Sequence, residues 1–338
     1  MATAATPHRV APEAAGWQRL LADAIRTPAA LCAALGIDPA TLGDVRSVVG
    51  DFPVLVPRGF VARMRRGDPY DPLLLQVLPR ESEREETAGF TADPLAEQAA
   101  LAAPGLIQKY AGRALLLVTG GCAVNCRYCF RREFPYAASG ATAAGLEAAL
   151  DAVAADASLA EVILSGGDPL LVDDERLAAI VARIERGGHV RRLRIHTRLP
   201  VVLPERVTDG LVDLLAGTRL ACTVVLHANH AAELDATVAA AAARLREGHA
   251  VLLNQSVLLR GVNDTADVLA ALSERLIDLG VVPYYLHLLD RVRGTADFEV
   301  SEAEALDLHA ALRARLPGYA VPRLAREEPG APAKRWLG

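Results

Sequence analysis

Three cysteines, Cys122, Cys126 and Cys129, stand within the stretch GCAVNCRYCF (residues 121–130) at the spacing Cys-x3-Cys-x2-Cys. The only other cysteines are Cys32 and Cys222, so no even-numbered framework of a disulfide-stapled domain is present. Reduced thiols this close hold metals or exchange electrons. Structural zinc takes four protein ligands in a closed tetrahedron. A redox Cys-x-x-Cys pair would leave Cys122 without a role. An iron–sulfur cluster normally has four thiolates, so three would leave one iron open to a ligand from outside the protein. The triad alone leaves these readings open, and the cluster is the one that uses all three thiols.

A second signal lies in the basic residues. Of the 36, only Lys109 and Lys334 are lysine. Lysine kept where arginine serves every other positive charge suggests chemistry that needs a primary amine, such as imine formation.

Elements must bring these groups together. Before about residue 105 the chain reads as short helical pieces broken by Pro and Gly, such as GWQRLLADAIRT, PAALCAALGI and DPYDPLLLQVLP. Apolar runs rich in Val, Ile and Leu then recur at 114–120, 161–167, 191–198, 221–227, 250–259 and 281–290. Amphipathic, Ala-rich stretches at 142–155, 174–186, 231–247 and 264–279 separate them. After a longer first crossover the repeat is about 30 residues, the size of a βαβ unit. Six units predict an α/β fold with a parallel, partial (β/α)6 barrel, open on one side; a doubly wound open sheet is the alternative. Three regions follow: a helical N-terminal region (1–105), the barrel core (106–300) and a short C-terminal segment (301–338). Such folds place chemistry at the C-terminal ends of their strands. Cys122, the SGGDP turn at 165–169, His196 to Arg198, His227, Asn254 with Gln255, and Asp290 all fall there.

Hydrophobic residues make up 52% of 338, enough for a sizeable core. The net charge of -5 and the absence of a long basic stretch predict no nucleic-acid surface. No apolar run reaches the ~18 residues of a membrane span, and the N-terminus lacks a signal-peptide core, so a cytoplasmic protein with small-molecule partners is expected.

The cysteine spacing resembles the signature of the radical S-adenosylmethionine (SAM) superfamily. That resemblance implies a 4Fe-4S cluster on Cys122, Cys126 and Cys129 whose open iron is chelated by SAM, and a radical SAM barrel. It places Tyr128 at the adenine, Gly166, Gly167 and Asp168 in the glycine-rich loop that meets the SAM amino group, and Arg198 and Gln255 among the other SAM contacts. The alternative for the glycines is an ordinary strand-to-helix turn.

Further motifs narrow the resemblance: KYAGRALLLVTGGCAVNCRYCFRREFPY, SGGDPL, RIHTRLPVVLPERVT, NQSVLLRGVND, PYYLHLLD and GYAVPRLAREEPGAPAK together look like the lysine 2,3-aminomutase family, in particular its elongation factor P β-lysylation branch. This resemblance implies an isomerase that converts L-lysine to β-lysine with pyridoxal 5'-phosphate (PLP). Lys334 falls where the family's lysine forms an imine with PLP. Lys109, Tyr110 and Arg113 align near the PLP phosphate and His227 near the cofactor. Arg131 aligns with the arginine that pairs with the substrate carboxylate, a task suited to a guanidinium fork. Asp290 and Glu327 align with the acids that hold the ε-ammonium of lysine; two acids facing one site are costly unless a cation lies between them. Glu327 departs from the aspartate of the family's free-lysine enzymes. Thr265 follows GVND where zinc-binding members carry cysteine, so no zinc is expected. A separate ligase that attaches β-lysine to elongation factor P, and an electron donor such as a flavodoxin or ferredoxin, are the implied partners. An aminomutase for another amino acid, such as glutamate, would want a cation or amide where Asp290 and Glu327 stand. A non-catalytic iron–sulfur accessory protein would have no need of Lys334.

Overall fold

The computed structural model describes residues 16–42, 45 and 52–338, so the N-terminal helical region is judged from residue 16 onward. Short helices form there: α1 (Gly16–Ala22), α2 (Pro28–Leu35), α3 (Arg58–Val61) and α4 (Pro72–Leu75). The limits of α2 are written locally. Thr27 accepts a hydrogen bond from Ala30 N, Pro28 sits in the first turn where its missing N–H costs nothing, and Gly36 ends the helix at φ 68°. Leu31, Leu35, Phe60, Leu73 and Leu74 bury these pieces against the main core.

The expected boundary at 105/106 falls inside a hairpin. β1 (Leu101–Ala103) and β2 (Leu106–Tyr110) pair antiparallel, and β2 pairs antiparallel with β3 (Arg113–Thr119). The chain then alternates through α5 (Ala143–Ala155), β4 (Glu161–Gly166), α6 (Asp174–Arg186), β5 (Arg192–Thr197), α7 (Leu199–Val202), α8 (Asp209–Gly217), β6 (Ala221–His227), α9 (Ala236–Glu247), β7 (Val251–Val257), α10 (Ala266–Asp278), β8 (Val282–His287) and α11 (Glu302–Arg315). Strands β3 to β8 are the six expected runs, parallel and side by side in chain order, which is the order of an open, partial barrel. A seventh parallel strand, β9 (Arg323–Arg326), joins β8, and β10 (Arg335–Trp336) pairs antiparallel with β9. All ten strands form one sheet in the order β1 to β10, so it runs through all three regions read from the sequence. The run RLAR is too short and too charged to announce β9.

Apart from the single-turn α7, the crossover helices start on a side chain that accepts from the first turn: Thr142 for α5, Asp173 for α6, Thr208 for α8, Asp235 for α9, Thr265 for α10 and Ser301, with Glu304 completing a capping box, for α11. Alternation along the strands does the rest. Val162, Leu164, Leu193, Ile195, Val224, Leu226 and Leu252 pack with helix residues such as Leu146, Leu177, Leu211 and Leu245. Alternate positions, Ile163 and Ser165, Arg194 and His196, Gln255 and Val257, line the cavity inside the barrel. No helix among the described residues is long and apolar enough to cross a membrane.

Candidate active site

A cavity of about 520 Å³ occupies the barrel interior, and every site residue expected from the sequence lines it. The loop after β3 carries the three cysteines, with Cys129 N bonded to Cys126 O at 3.0 Å in a tight turn. All three thiols are free. Burial, and then the charge each would exert on the others, pushes the Cys122 thiol up and the Cys129 thiol up to about 11. A bound cationic metal centre would draw the protons off Cys122 and Cys129, and the donor set of three thiols fits a cluster.

Beside them lies a buried polar network. Arg198 Nη1 donates to Cys126 Sγ at 2.7 Å and to the Tyr128 hydroxyl at 2.6 Å, while Nη2 donates to Gln76 Oε1 and Glu233 Oε2. The Tyr128 hydroxyl also lies 2.8 Å from His227 Nε2 and accepts from Asn229 Nδ2 at 2.7 Å. Burial, reinforced by the Arg198 charge, lowers His227 to about 3, so its ring is neutral at ordinary pH. Arg198 Nε and His196 Nε2 are buried with no hydrogen-bond partner among the described residues, two groups on the cavity wall that a polar ligand would satisfy.

The glycine loop at the end of β4 lines the cavity and also packs closely on the protein itself. Gly166 has φ 119°, and a Cβ there would lie 2.3 Å from Thr119 O; a Cβ on Gly167 would lie 2.0 Å from Gly121 O. The close approach these glycines permit is to the protein's own β3 loop, sealed by Gly167 N to Thr119 O and Asp168 N to Gly121 O, both 2.8 Å. The Asp168 carboxylate turns inward to Thr197 Oγ1 (2.7 Å), Arg198 N (2.7 Å), Leu199 N (3.1 Å) and Leu170 N (3.0 Å). It therefore positions the end of β5 and with it Arg198.

The rest of the cavity is a chain of charges. Arg131 meets Glu97 through Nε (2.6 Å) and Nη2 (2.9 Å), and its Nη1 donates to Ser165 Oγ and Gly166 O, which leaves one of the five guanidinium N–H groups. Lys109 Nζ joins Glu97 (3.0 Å) to Glu327 (2.7 Å), and Glu327 takes Lys334 Nζ at 2.8 Å on its other oxygen. Burial alone would raise the Glu327 carboxyl, but Lys334 and Lys109 hold it far below its ordinary value. Asp290 is in no ion pair among the described residues, and burial, then repulsion by Glu327, outweigh the attraction of Lys334 and Lys109 and push its carboxyl up to about 7.

Glu97, Gln76, Asn229 and Glu233 were not singled out from the sequence. Glu97 is only 2% exposed and lies in the polar stretch before β1, where an acid reads as surface. Its one available signal was the demand that a buried Arg131 and Lys109 make for a counter-charge.

Residues 116–272 match the model of the radical SAM superfamily. The chain is 49% identical to an L-lysine 2,3-aminomutase of Escherichia coli (strain K12) over 96% of this chain and 94% of that protein. It is 45% identical to one of Haemophilus influenzae over 95% of each. Its identity to the L-lysine 2,3-aminomutase of Clostridium subterminale is 36%, over 79% of this chain and 64% of that one. Among solved structures, a radical SAM methyltransferase from Sphaerobacter thermophilus aligns with a TM-score of 0.42 and 20% identity, over 65% of this chain and 68% of that one. With near full-length identity to such relatives and three free thiols opening on the barrel cavity, the chain belongs to the L-lysine 2,3-aminomutase family of radical SAM isomerases.

Proposed function

We propose that this protein is a PLP-dependent aminomutase that converts L-lysine to β-lysine in the cytoplasm, and that the product serves to modify elongation factor P through a separate ligase. The observation that carries the reading is a single cavity lined by three free thiols, a lysine amine, and both an arginine and two acids suited to the ends of a basic amino acid.

Cys122, Cys126 and Cys129 would hold the 4Fe-4S cluster, and Tyr128, Gly166, Gly167, Arg198 and Gln255 would surround SAM, with Asp168 fixing the loop and Arg198. Lys334 would carry PLP, near Lys109, Tyr110, Arg113 and His227. When bound, the cluster and SAM supply a carbon-centred radical and PLP supplies an aldehyde that keeps the migrating nitrogen covalently held; a flavodoxin or ferredoxin would supply the electron.

The chain's own contribution is placement, charge and the exclusion of water. Arg131 binds the substrate carboxylate through the N–H it keeps free, while Glu97 locks the guanidinium plane. Asp290 and Glu327 take the ε-ammonium. In the unliganded protein Lys334 and Lys109 already occupy Glu327, so release of Lys334 from that carboxylate and entry of the substrate cation are coupled exchanges of charge. Asp290, half protonated near pH 7, gives up its proton when the cation arrives.

The test is anaerobic reconstitution with iron and sulfide, followed by PLP, SAM, reductant and L-lysine, with products identified by mass spectrometry. β-Lysine made by the wild type but not by Cys126→Ala or Lys334→Ala is the expected result. SAM cleavage without β-lysine would keep the radical machinery and reject lysine as substrate.

A further inference from the structure

The loop that carries the three cysteines is fastened to the N-terminal region at several points. Asn125 N donates to Leu55 O at 3.0 Å and Asn125 Nδ2 to Pro53 O at 2.9 Å, while Arg127 N donates to Gln76 O at 2.8 Å. A shared carboxylate adds charge-assisted bonds to these. Glu83 Oε1 accepts from Arg127 Nε at 2.8 Å, and Oε2 accepts from Arg127 Nη2 and, at 2.6 Å, from Arg132 Nη2. All three side chains are buried, none more than 6% exposed. Phe52 lies against both guanidinium groups, its ring centroid 4.8 Å from that of Arg127 and 5.0 Å from that of Arg132.

The two arginines matter by where they stand. Arg127 directly follows Cys126 and Arg132 lies three residues past Cys129, so one carboxylate clasps both sides of the turn that brings Cys126 and Cys129 together. Arg132 Nη1 also returns to Arg127 O at 3.0 Å and reaches Gly294 O at 3.0 Å, in the segment after β8 that carries Asp290. Glu83 is fixed in its own turn by Arg80 N, which donates to Oε1 at 3.1 Å. Burial by itself would raise the Glu83 carboxyl, but Arg127 and Arg132 hold it below its ordinary value, so it stands there as an anion. Gathering three thiols around one metal centre costs a loop its conformational freedom; a clasp made by the folded chain removes that freedom in advance.

We propose that Glu83 is a positioning residue for the iron–sulfur centre: by clasping Arg127 and Arg132 it holds Cys126 and Cys129 in the arrangement that receives the cluster. The proposal rests on the reading of Cys122, Cys126 and Cys129 as cluster ligands given above. Nothing in the sequence singles out Glu83, one of four acids in the polar stretch ESEREE.

The experiment treats the full chain, kept reduced and stripped of iron, with iodoacetamide at low conversion and reads each cysteine by tandem mass spectrometry. Cys32 and Cys222, buried in the core, report global opening. Glu83→Gln, which keeps the shape and removes the charge, should label Cys126 and Cys129 roughly tenfold faster while Cys32 and Cys222 stay at the wild-type rate, and Glu83→Asp should fall between. After anaerobic reconstitution with iron and sulfide, the same variants should release iron to a chelator in the same order. Arg132→Gln, which leaves the Glu83–Arg127 pair in place, carries the same test if Glu83→Gln does not fold. Unchanged labelling of Cys126 and Cys129, or iron released at the wild-type rate, overturns the clasp. So does an equal rise at all five cysteines, the signature of a merely structural carboxylate. A wild type that takes up no iron overturns the cluster reading itself, and the proposal with it.

Discussion

Lys109 Nζ lies 2.7 Å from Glu327 Oε1, and this contact, between residues 218 apart in sequence, ties β2 to the end of β9 across the open side of the barrel. The two strands stand near opposite ends of the ten-strand order, so no backbone hydrogen bonds join them. Because Glu327 answers both Lys109 and Lys334, its loss strands the partly buried Lys334 ammonium and leaves Lys109 to Glu97 alone. Glu327→Gln is expected to cost about 3 kcal/mol and to lower Tm by several degrees in thermal unfolding of the unliganded protein. A Tm within one degree of wild type would show that the pair does not tie the barrel.

Arg198 and Glu233 form a buried pair at 3.0 Å, in which removing either partner leaves the other charge buried without its counter-charge. Arg198→Gln and Glu233→Gln should each destabilise by about 3 kcal/mol, and the double variant by clearly less than the sum. A double-mutant cycle in urea measures this, and strict additivity would refute the coupling.

Gly167→Ala sets a Cβ 2.0 Å from the Gly121 carbonyl, a backbone atom that cannot swing aside, whereas Gly318 has nothing within 4 Å. The first substitution should cost about 3 kcal/mol or more by prising the β4 loop from the β3 loop, and the second should stay within about 0.5 kcal/mol of wild type. Matched unfolding curves for the pair check the contrast.

Asp290 supplies a pH dependence whose sign is set by burial. Its carboxyl titrates at about 7 in the folded protein against an ordinary value of 3.8, so between these the folded chain keeps a proton that the unfolded chain has released. Its contribution to stability is full below pH about 4 and is lost as pH rises through about 7. Asp290→Asn cannot titrate, so the Tm of the variant relative to wild type should climb from pH 4 to 7 and then level off. A difference that is flat from pH 4 to 8 would mean that Asp290 ionises as an ordinary exposed acid.

What could be read along the chain is what local chemistry dictates. The apolar runs of β3 to β8 and the close spacing of Cys122, Cys126 and Cys129 each depend on neighbours a few residues away, and both were legible. The lysine count singled out Lys334 because a rare residue type stands out without any fold. The short, charged β9 was hidden, since a strand of four residues is recruited by its neighbour and not by its own propensity. Charge pairing was hidden in the same way. Glu97 is an unremarked acid in sequence until folding sets it between Arg131 and Lys109, and Asp290 is an ordinary carboxyl until burial beside Glu327 raises it. By itself the sequence determined which chemical groups the protein carries and the order of the elements that bear them. Only the tertiary structure decided which charges face one another, because Coulomb energies and desolvation depend on distances through space that the chain reaches only when the barrel closes on Lys109 and Glu327.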